Sequence, residues 1–303
     1  MYLDHFGLKE SPFGLTPNTQ FLFQSKGYRE ALNVILFALS SGEGFVKIVG
    51  EVGCGKTFLC RKVLHQLTHP EYVTAYLPNP LLSSQELYRA FAGELGLSTD
   101  TRKGFQYLLR EITHHLIQLV GQGRKVVLLV DEAQSLPDKT LEALRLMTNL
   151  ETEQRKIVQV VLFGQPELDE RLRHKKFRQL RQRITFSYTL PSLDREETHQ
   201  YLAARLKIAG VPGHALISSR GVRLLHQYSG GIPRLINILA HKSLLAAFGK
   251  GNRSVLASHV KRAAQDTEGV VSRLNMNTLW LTLLGAAGLA GGAAWFYFQG
   301  VLP

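Results

Sequence analysis

Gly50-Glu51-Val52-Gly53-Cys54-Gly55-Lys56-Thr57 decides how this chain is read. The stretch has the form G-x-x-x-x-G-K-T, and its flanks turn the pattern into a mechanism. Phe45-Val46-Lys47-Ile48-Val49 before it is a β-branched and aromatic run suited to a strand, and Phe58-Leu59-Cys60-Arg61-Lys62-Val63-Leu64 after it opens a helix. Glycines lack a Cβ, so successive backbone N–H groups can curl around a phosphate while the helix N-terminus adds its dipole. Gly50, Glu51, Val52, Gly53, Cys54, Gly55, Lys56, Thr57 and Phe58 are therefore expected to hold a nucleotide. Lys56 would reach the β- and γ-phosphates and Thr57 would bind Mg²⁺ through its hydroxyl. A glycine turn that matched by accident would lack this strand–turn–helix context.

About seventy-five residues on, Val126-Val127-Leu128-Leu129-Val130 runs into Asp131-Glu132-Ala133-Gln134. Five consecutive apolar residues followed by two acids fit a buried parallel strand with carboxylates at its C-terminal end. Asp131 would then bind Mg²⁺ and Glu132 would polarise an attacking water. The plainer account is a helix that starts after a core strand, with acids favoured at its N-terminus. The loop upstream favours the catalytic account. Val158 to Gly164 reads as another buried strand; Gln165 at its end either touches the γ-phosphate or lytic water, or simply caps the loop before Pro166.

Two further arginine positions stand out. Arg171 to Arg183 carries seven Lys/Arg and ends in Leu180-Arg181-Gln182-Arg183-Ile184, before the strand Thr185-Phe186-Ser187-Tyr188. The cluster reads as a solvated basic face, as phosphate contact with nucleic acid, or as the source of an arginine finger from Arg181 or Arg183 into a neighbouring subunit. After Pro191 the periodicity is helical over roughly 194–208, 218–229, 232–248 and 255–265, a small α-helical domain. Within it Gly230-Gly231-Ile232-Pro233-Arg234 forms a turn, and Arg234 either closes over the nucleotide or is an exposed arginine at a helix start, where the dipole disfavours it.

The remaining segments fill in the frame. Residues 1–25, with Phe6, Phe13, Phe21, Phe23, Pro12 and Pro17, are expected to form an ordered, packed, extended arm. Helices are expected over Tyr28–Leu39, over Ser83–Leu95 with Ser83 and Glu86 at capping-box spacing, and over Gly104–Val120, and a strand over Tyr72–Leu77. A net charge of +12, from 36 Lys+Arg against 24 Asp+Glu, makes acidic partners plausible without choosing among nucleotide, nucleic acid and an anionic membrane face. The two cysteines, Cys54 and Cys60, exclude a disulfide framework and fit a reducing compartment. The first residues lack the basic-then-apolar pattern of a signal peptide. Leu279 to Phe298 is free of charge, long enough as a helix to cross a bilayer at about 30 Å, and flanked by Trp280 and Trp295. A single C-terminal span is expected there, against the alternative of a buried helix. Lys261, Arg262 and Arg273 before it set the long N-terminal part on the cytoplasmic side of an inner membrane.

Taken together, these residues resemble the AAA+ ATPases over residues 1–265. Gly50–Thr57 stands at the Walker A position, Asp131-Glu132 at Walker B, Gln165 at sensor 1, where Asn is commoner, and Arg234 at sensor 2. Met1-Tyr2-Leu3, His5-Phe6-Gly7-Leu8, Pro12-Phe13, Gly42-Glu43-Gly44-Phe45, Phe163-Gly164-Gln165-Pro166-Glu167-Leu168 and Leu180-Arg181-Gln182-Arg183-Ile184 resemble the ExeA-type (general secretion pathway protein A) subfamily. Within that subfamily the chain resembles the short members of the MSHA pilus biogenesis (MshM) type. The resemblance implies a five-stranded parallel α/β sheet over 1–190, a helical lid over 191–268, a linker over 269–278, the span over 279–298 and a short outer tail over 299–303. It also implies ATP and Mg²⁺ as ligands, a homo-oligomer in which Arg183, then Arg181, supplies the finger, and partners in a type IV pilus or type II secretion machine. The secretion-type relatives carry a peptidoglycan-binding domain beyond their span; only five residues follow Phe298 here, so peptidoglycan binding is not expected. A DNA-directed AAA+ regulator is the alternative reading of the charge, and a nucleotide-gated scaffold without turnover is a third.

Overall fold

Residues 2–14, 21–78, 81–100, 102, 104–148, 156–211 and 216–270 are described by the computed structural model. In chain order these give α1 (Tyr2–Phe6), α2 (Lys26–Ser40), β1 (Phe45–Val49), α3 (Lys56–Gln66), β2 (Tyr72–Leu77), α4 (Ser84–Glu94) and α5 (Phe105–Gly121). There follow β3 (Lys125–Val130), α6 (Asp138–Met147), β4 (Val158–Gly164), α7 (Pro166–Arg173), α8 (Arg178–Arg183) and β5 (Phe186–Thr189). The chain then runs through α9 (Arg195–Ile208), α10 (Ser219–Ser229), α11 (Pro233–Phe248) and α12 (Ala257–Gln265).

The five strands form one parallel sheet in the order β2-β3-β4-β1-β5. The inner strands are buried almost throughout, β4 along its whole length, as their continuous apolar runs require. Edge strand β5 alternates between half-buried and exposed residues instead. Side chains along a strand alternate between faces. Val126, Leu128 and Val130 accordingly pack with α4, α5 and α6 on one face, while Val127 and Leu129 pack with α2 and α3 on the other. Gln159 is the polar exception in β4. Its amide nitrogen donates to Leu39 O and Glu43 O at 3.1 and 2.9 Å, which compensates for its burial.

The register positions the site. Val49 of β1 pairs with Gly164 of β4, Val130 of β3 with Leu162 of β4, and Val49 also with Thr189 of β5. The C-terminal ends of β1, β3 and β4 therefore lie level, and the segments leaving them emerge along one edge of the sheet, where open α/β sheets bind ligands.

A separate core gathers α9, α10, α11 and α12 around Leu202, Leu225, Ile236 and Leu239. The expected helix ends hold to within two residues, and α4 is entered through a capping box between Ser83 and Glu86. The N-terminal arm departs from its expected extended form. Residues 2–6 are helical, and Phe6, Leu8 and Phe13 bury themselves in the core of the C-terminal helices. Local composition marks the arm as packed but carries no information on which core it joins.

The membrane-spanning helix expected at 279–298 needs correction. No helix among the described residues is long and apolar enough to cross a membrane. The most apolar candidate, α11, has 16 residues, about 24 Å at the helical rise, and carries Arg234, His241 and Lys242. The 279–298 stretch itself lies outside the described residues, as do the tail and 271–278 of the linker, and the inner-membrane placement built on the span falls with it.

Candidate nucleotide site

The loop from Gly50 to Thr57 leaves β1 and enters α3 through Gly55, which caps the helix in the left-handed region at φ 96°. Gly53 is left-handed as well, at φ 85°. A Cβ on Gly53 would lie 2.4 Å from the Cβ of Arg234, and one on Gly50 would lie 3.1 Å from Leu190 O. Glycine is thus required twice: for the turn itself, and for the approach of the C-terminal helices to the loop. Arg234 N donates to Gly53 O at 3.3 Å, so the start of α11 touches the loop directly.

Lys56 is 5 % exposed, and its Nζ donates to Gly50 O at 2.7 Å and Glu51 O at 3.0 Å. Burial pushes its ammonium below the usual lysine range, while Glu132, Cys54 and Asp131 favour the charged form. Thr57 Oγ1 donates to Asp131 Oδ2 at 2.7 Å. Asp131 is buried; burial raises its carboxyl above the usual range, against the opposing bonds from Thr57 and the Glu132 N–H. A hydroxyl and a carboxylate in contact at the mouth of a phosphate loop are a hard-oxygen donor pair suited to Mg²⁺, which keeps several waters and needs few protein ligands. No group of three or more His, Cys, Asp or Glu among the described residues forms an all-protein metal cage. Cys54 and Cys60 are free and buried, with both thiols pushed up by burial, and so unreactive.

Glu132 follows Asp131 at φ 51°, the one non-glycine residue with positive φ among the described residues. That conformation costs energy for a residue with a side chain and aims the carboxylate out of the strand line. Its Oε2 accepts from Gln165 Nε2 at 3.0 Å and from Gln134 Nε2. Gln165, at the N-cap of α7, therefore meets Glu132 within hydrogen-bond distance.

A cavity of about 370 Å³ opens between the two cores. Val52 to Phe58 and Glu132 line one wall, and Phe21, Tyr201, Arg205, Asn237 and Arg234 line the other. Gly50, Glu51, Asp131 and Gln165 back this wall without lining it. Arg181 and Arg183 do not reach the cavity. Arg181 is exposed, and Arg183 Nη1 donates to Thr148 O at 3.1 Å at the end of α6. Part of the basic segment is committed locally: Arg171 donates to Gln134 O, Leu136 O and Asp138, and Lys176 pairs with Asp138.

Sequence reasoning missed the second wall almost entirely. Arg205 is 7 % exposed, donates from Nη1 to Pro12 O at 2.8 Å, and lies between the rings of Phe21 and Tyr201 at 5.1 Å from each centroid. Tyr201 OH donates to Asn237 Oδ1 at 2.9 Å. Tyr201 and Arg205 are one helical turn apart on α9, a spacing that signals a shared face but not what it faces. In sequence Gln134 reads only as the end of an acidic box.

Comparison with known proteins bears on this geometry. Residues 39–172 match the AAA domain family model. Over 304 aligned residues the chain is 40 % identical to the general secretion pathway protein A of Aeromonas hydrophila, covering all of this chain and 55 % of that protein. The chain is thus similar over its whole length to an ExeA-type protein, with an AAA domain match within it. The chain spans only about half the length of that curated relative. Among solved structures, the Aeropyrum pernix ORC2 protein superposes with TM-score 0.61 at 17 % identity, covering 93 % of this chain and 79 % of that one. Cdc6p from Pyrobaculum aerophilum gives 0.62 at 16 % over 88 % and 73 %, and the Thermotoga maritima RuvB branch migration motor 0.52 at 15 % over 83 % and 72 %. At such identities these likenesses establish the shared fold: a parallel α/β sheet around a phosphate loop, as in nucleotide-binding ATPases.

Proposed function

We propose that this ExeA-type chain binds ATP with Mg²⁺ and hydrolyses it to drive assembly of a type II secretion apparatus or an MSHA-like type IV pilus. The observation that carries this reading is the convergence of Lys56, Thr57, Asp131 and Glu132 on one edge of the sheet, with Arg234 closing from the facing helices. Gly50–Phe58 cradle the triphosphate, and Lys56 leaves its loop carbonyls to neutralise the β/γ oxygens. Thr57 and Asp131 hold Mg²⁺, which supplies further neutralisation of the phosphates. Glu132 takes the proton of the attacking water, Gln165 helps orient it, and Arg234 contacts the phosphates from the lid.

Arg183, with Arg181 as second choice, acts on a neighbouring subunit's nucleotide in a homo-oligomer. A sheet domain to about residue 190 and a helical lid beyond it move relative to each other as the nucleotide turns over. The secretion component rests on the 40 % identity to the Aeromonas protein, and the pilus component on the resemblance to the short MSHA-type members.

The test is Glu132→Gln, which should retain ATP but stop hydrolysis. Equal turnover by variant and wild type would remove Glu132 as the base. Crosslinking with the ATP-locked variant should then capture secretion or pilus components. Salt-sensitive retention of duplex DNA in their place would favour the DNA-directed reading of the +12 charge.

A further inference from the structure

Gln134 has no role in the reading above, yet its carboxamide sits where the two strand ends of the site meet. Gln165 N–H donates to Gln134 Oε1 at 3.1 Å. A backbone N–H can only donate, so that bond fixes which end of the amide is oxygen and leaves Nε2 facing Glu132. Gln134 Nε2 and Gln165 Nε2 then both donate to the same oxygen, Glu132 Oε2. The Gln134 backbone is itself held, because Arg171 Nη1 donates to its carbonyl at 2.6 Å while Arg171 Nη2 bonds Leu136 O and Asp138. Glu132 meanwhile occupies a left-handed conformation that its own side chain disfavours. A strained backbone persists only where its surroundings over-determine it, and the bond network from β4 and α7 through Gln134 does this.

We propose that Gln134 is a positioning residue for hydrolysis: it clamps Oε2 of Glu132 so that Oε1 alone is presented to the attacking water, and it ties that orientation to the end of β4 through Gln165. The inference rests on Glu132 being the base. Holding one carboxylate oxygen with two amide donors removes the rotation that would otherwise exchange Oε1 and Oε2, so the base is pre-oriented at no cost during the reaction. Gln134 does not line the cavity, and its effect runs through Glu132.

The clamp and simple packing make opposite demands on the residue at 134. Gln134→Ala should lower kcat roughly ten- to a hundredfold while leaving KM for ATP within about twofold, because the lost interaction serves the chemical step. Gln134→Glu preserves the shape but removes the donors and sets a like charge against Glu132, so it should be at least as slow as Gln134→Ala. In a Glu132→Gln background, Gln134→Ala should produce no further loss, since the clamp has no base left to orient. A Gln134→Glu rate near wild type would overturn the proposal in favour of packing, as would a raised KM with unchanged kcat. Thermal unfolding of both variants with and without ATP separates misfolding from lost chemistry, and Gln134→Glu keeps the comparison available if the alanine variant unfolds. Failure of the Glu132→Gln test itself would strike the base assignment, a different result from Glu132 mattering while Gln134 does not.

Discussion

The two walls of the cavity are built on different principles. Apart from Glu132, the phosphate wall comes from contiguous sequence, Val52 to Phe58, with left-handed glycines at 53 and 55 and a lysine tied to its own loop carbonyls. The opposite wall is collected from distant points, with Phe21 from the arm, Tyr201 and Arg205 from α9, and Arg234 and Asn237 from α11. A contact such as Arg205 to Pro12 closes across 193 residues. The first wall is held by local backbone geometry, whereas the second exists only while a whole core is folded. Damage to the two should therefore look different.

The largest effect should come from the second wall. Phe13 is 1 % exposed in the core shared by arm and lid, and Phe13→Ala should cost about 3–5 kcal/mol. Chemical denaturation should register that loss, and nucleotide affinity should fall with it although residue 13 is outside the loop. Lys56→Ala should do the reverse. Affinity for ATP should drop on the order of a hundredfold, about 2.7 kcal/mol, while unfolding in the absence of nucleotide changes little. Calorimetric titration beside a melting curve distinguishes the two patterns; a Lys56→Ala protein that melted early and still bound ATP would erase the contrast.

The smallest effect is a pH slope. Asp131 is held above the usual carboxylate value by burial, so in the metal-free protein the folded state binds its proton more tightly than the unfolded state does. Stability from this group is then fully present below the ordinary aspartate value and is lost as pH rises from there through the raised folded-state value. Relative to wild type, Asp131→Asn should gain in unfolding free energy as pH rises above the ordinary aspartate range without Mg²⁺, and added Mg²⁺ should reverse the trend in wild type alone. A difference independent of pH would mean that Asp131 carries no burial penalty.

The same contrast explains what could be read from sequence. Strand β1, the capping box at Ser83, the acids after β3 and the helices beyond residue 191 all announce themselves through local pattern, because each is stabilised within a few residues of itself. The destination of Phe6, Leu8 and Phe13 is not local, and neither is the meeting of Gln134 with Gln165 across two strands. Arg171 shows the limit from the other side. It belongs to a charge cluster that reads as a solvated face, but two carbonyls on the loop after β3 and Asp138 at the start of α6 claim it. Composition counts charges, whereas only the fold assigns their partners.

The route of the arm has a mechanical consequence. The chain passes between the two cores twice near the cavity, once between Phe23 and Tyr28 and once between Leu190 and Leu193, where Gly231 closes onto the Leu193 backbone. A body attached at a single point can swing in any direction. One attached at two can turn only about the line that joins them, as a door does on two hinges. In the proposed cycle, a lid turning about that axis would carry Arg234 toward the phosphate loop or away from it.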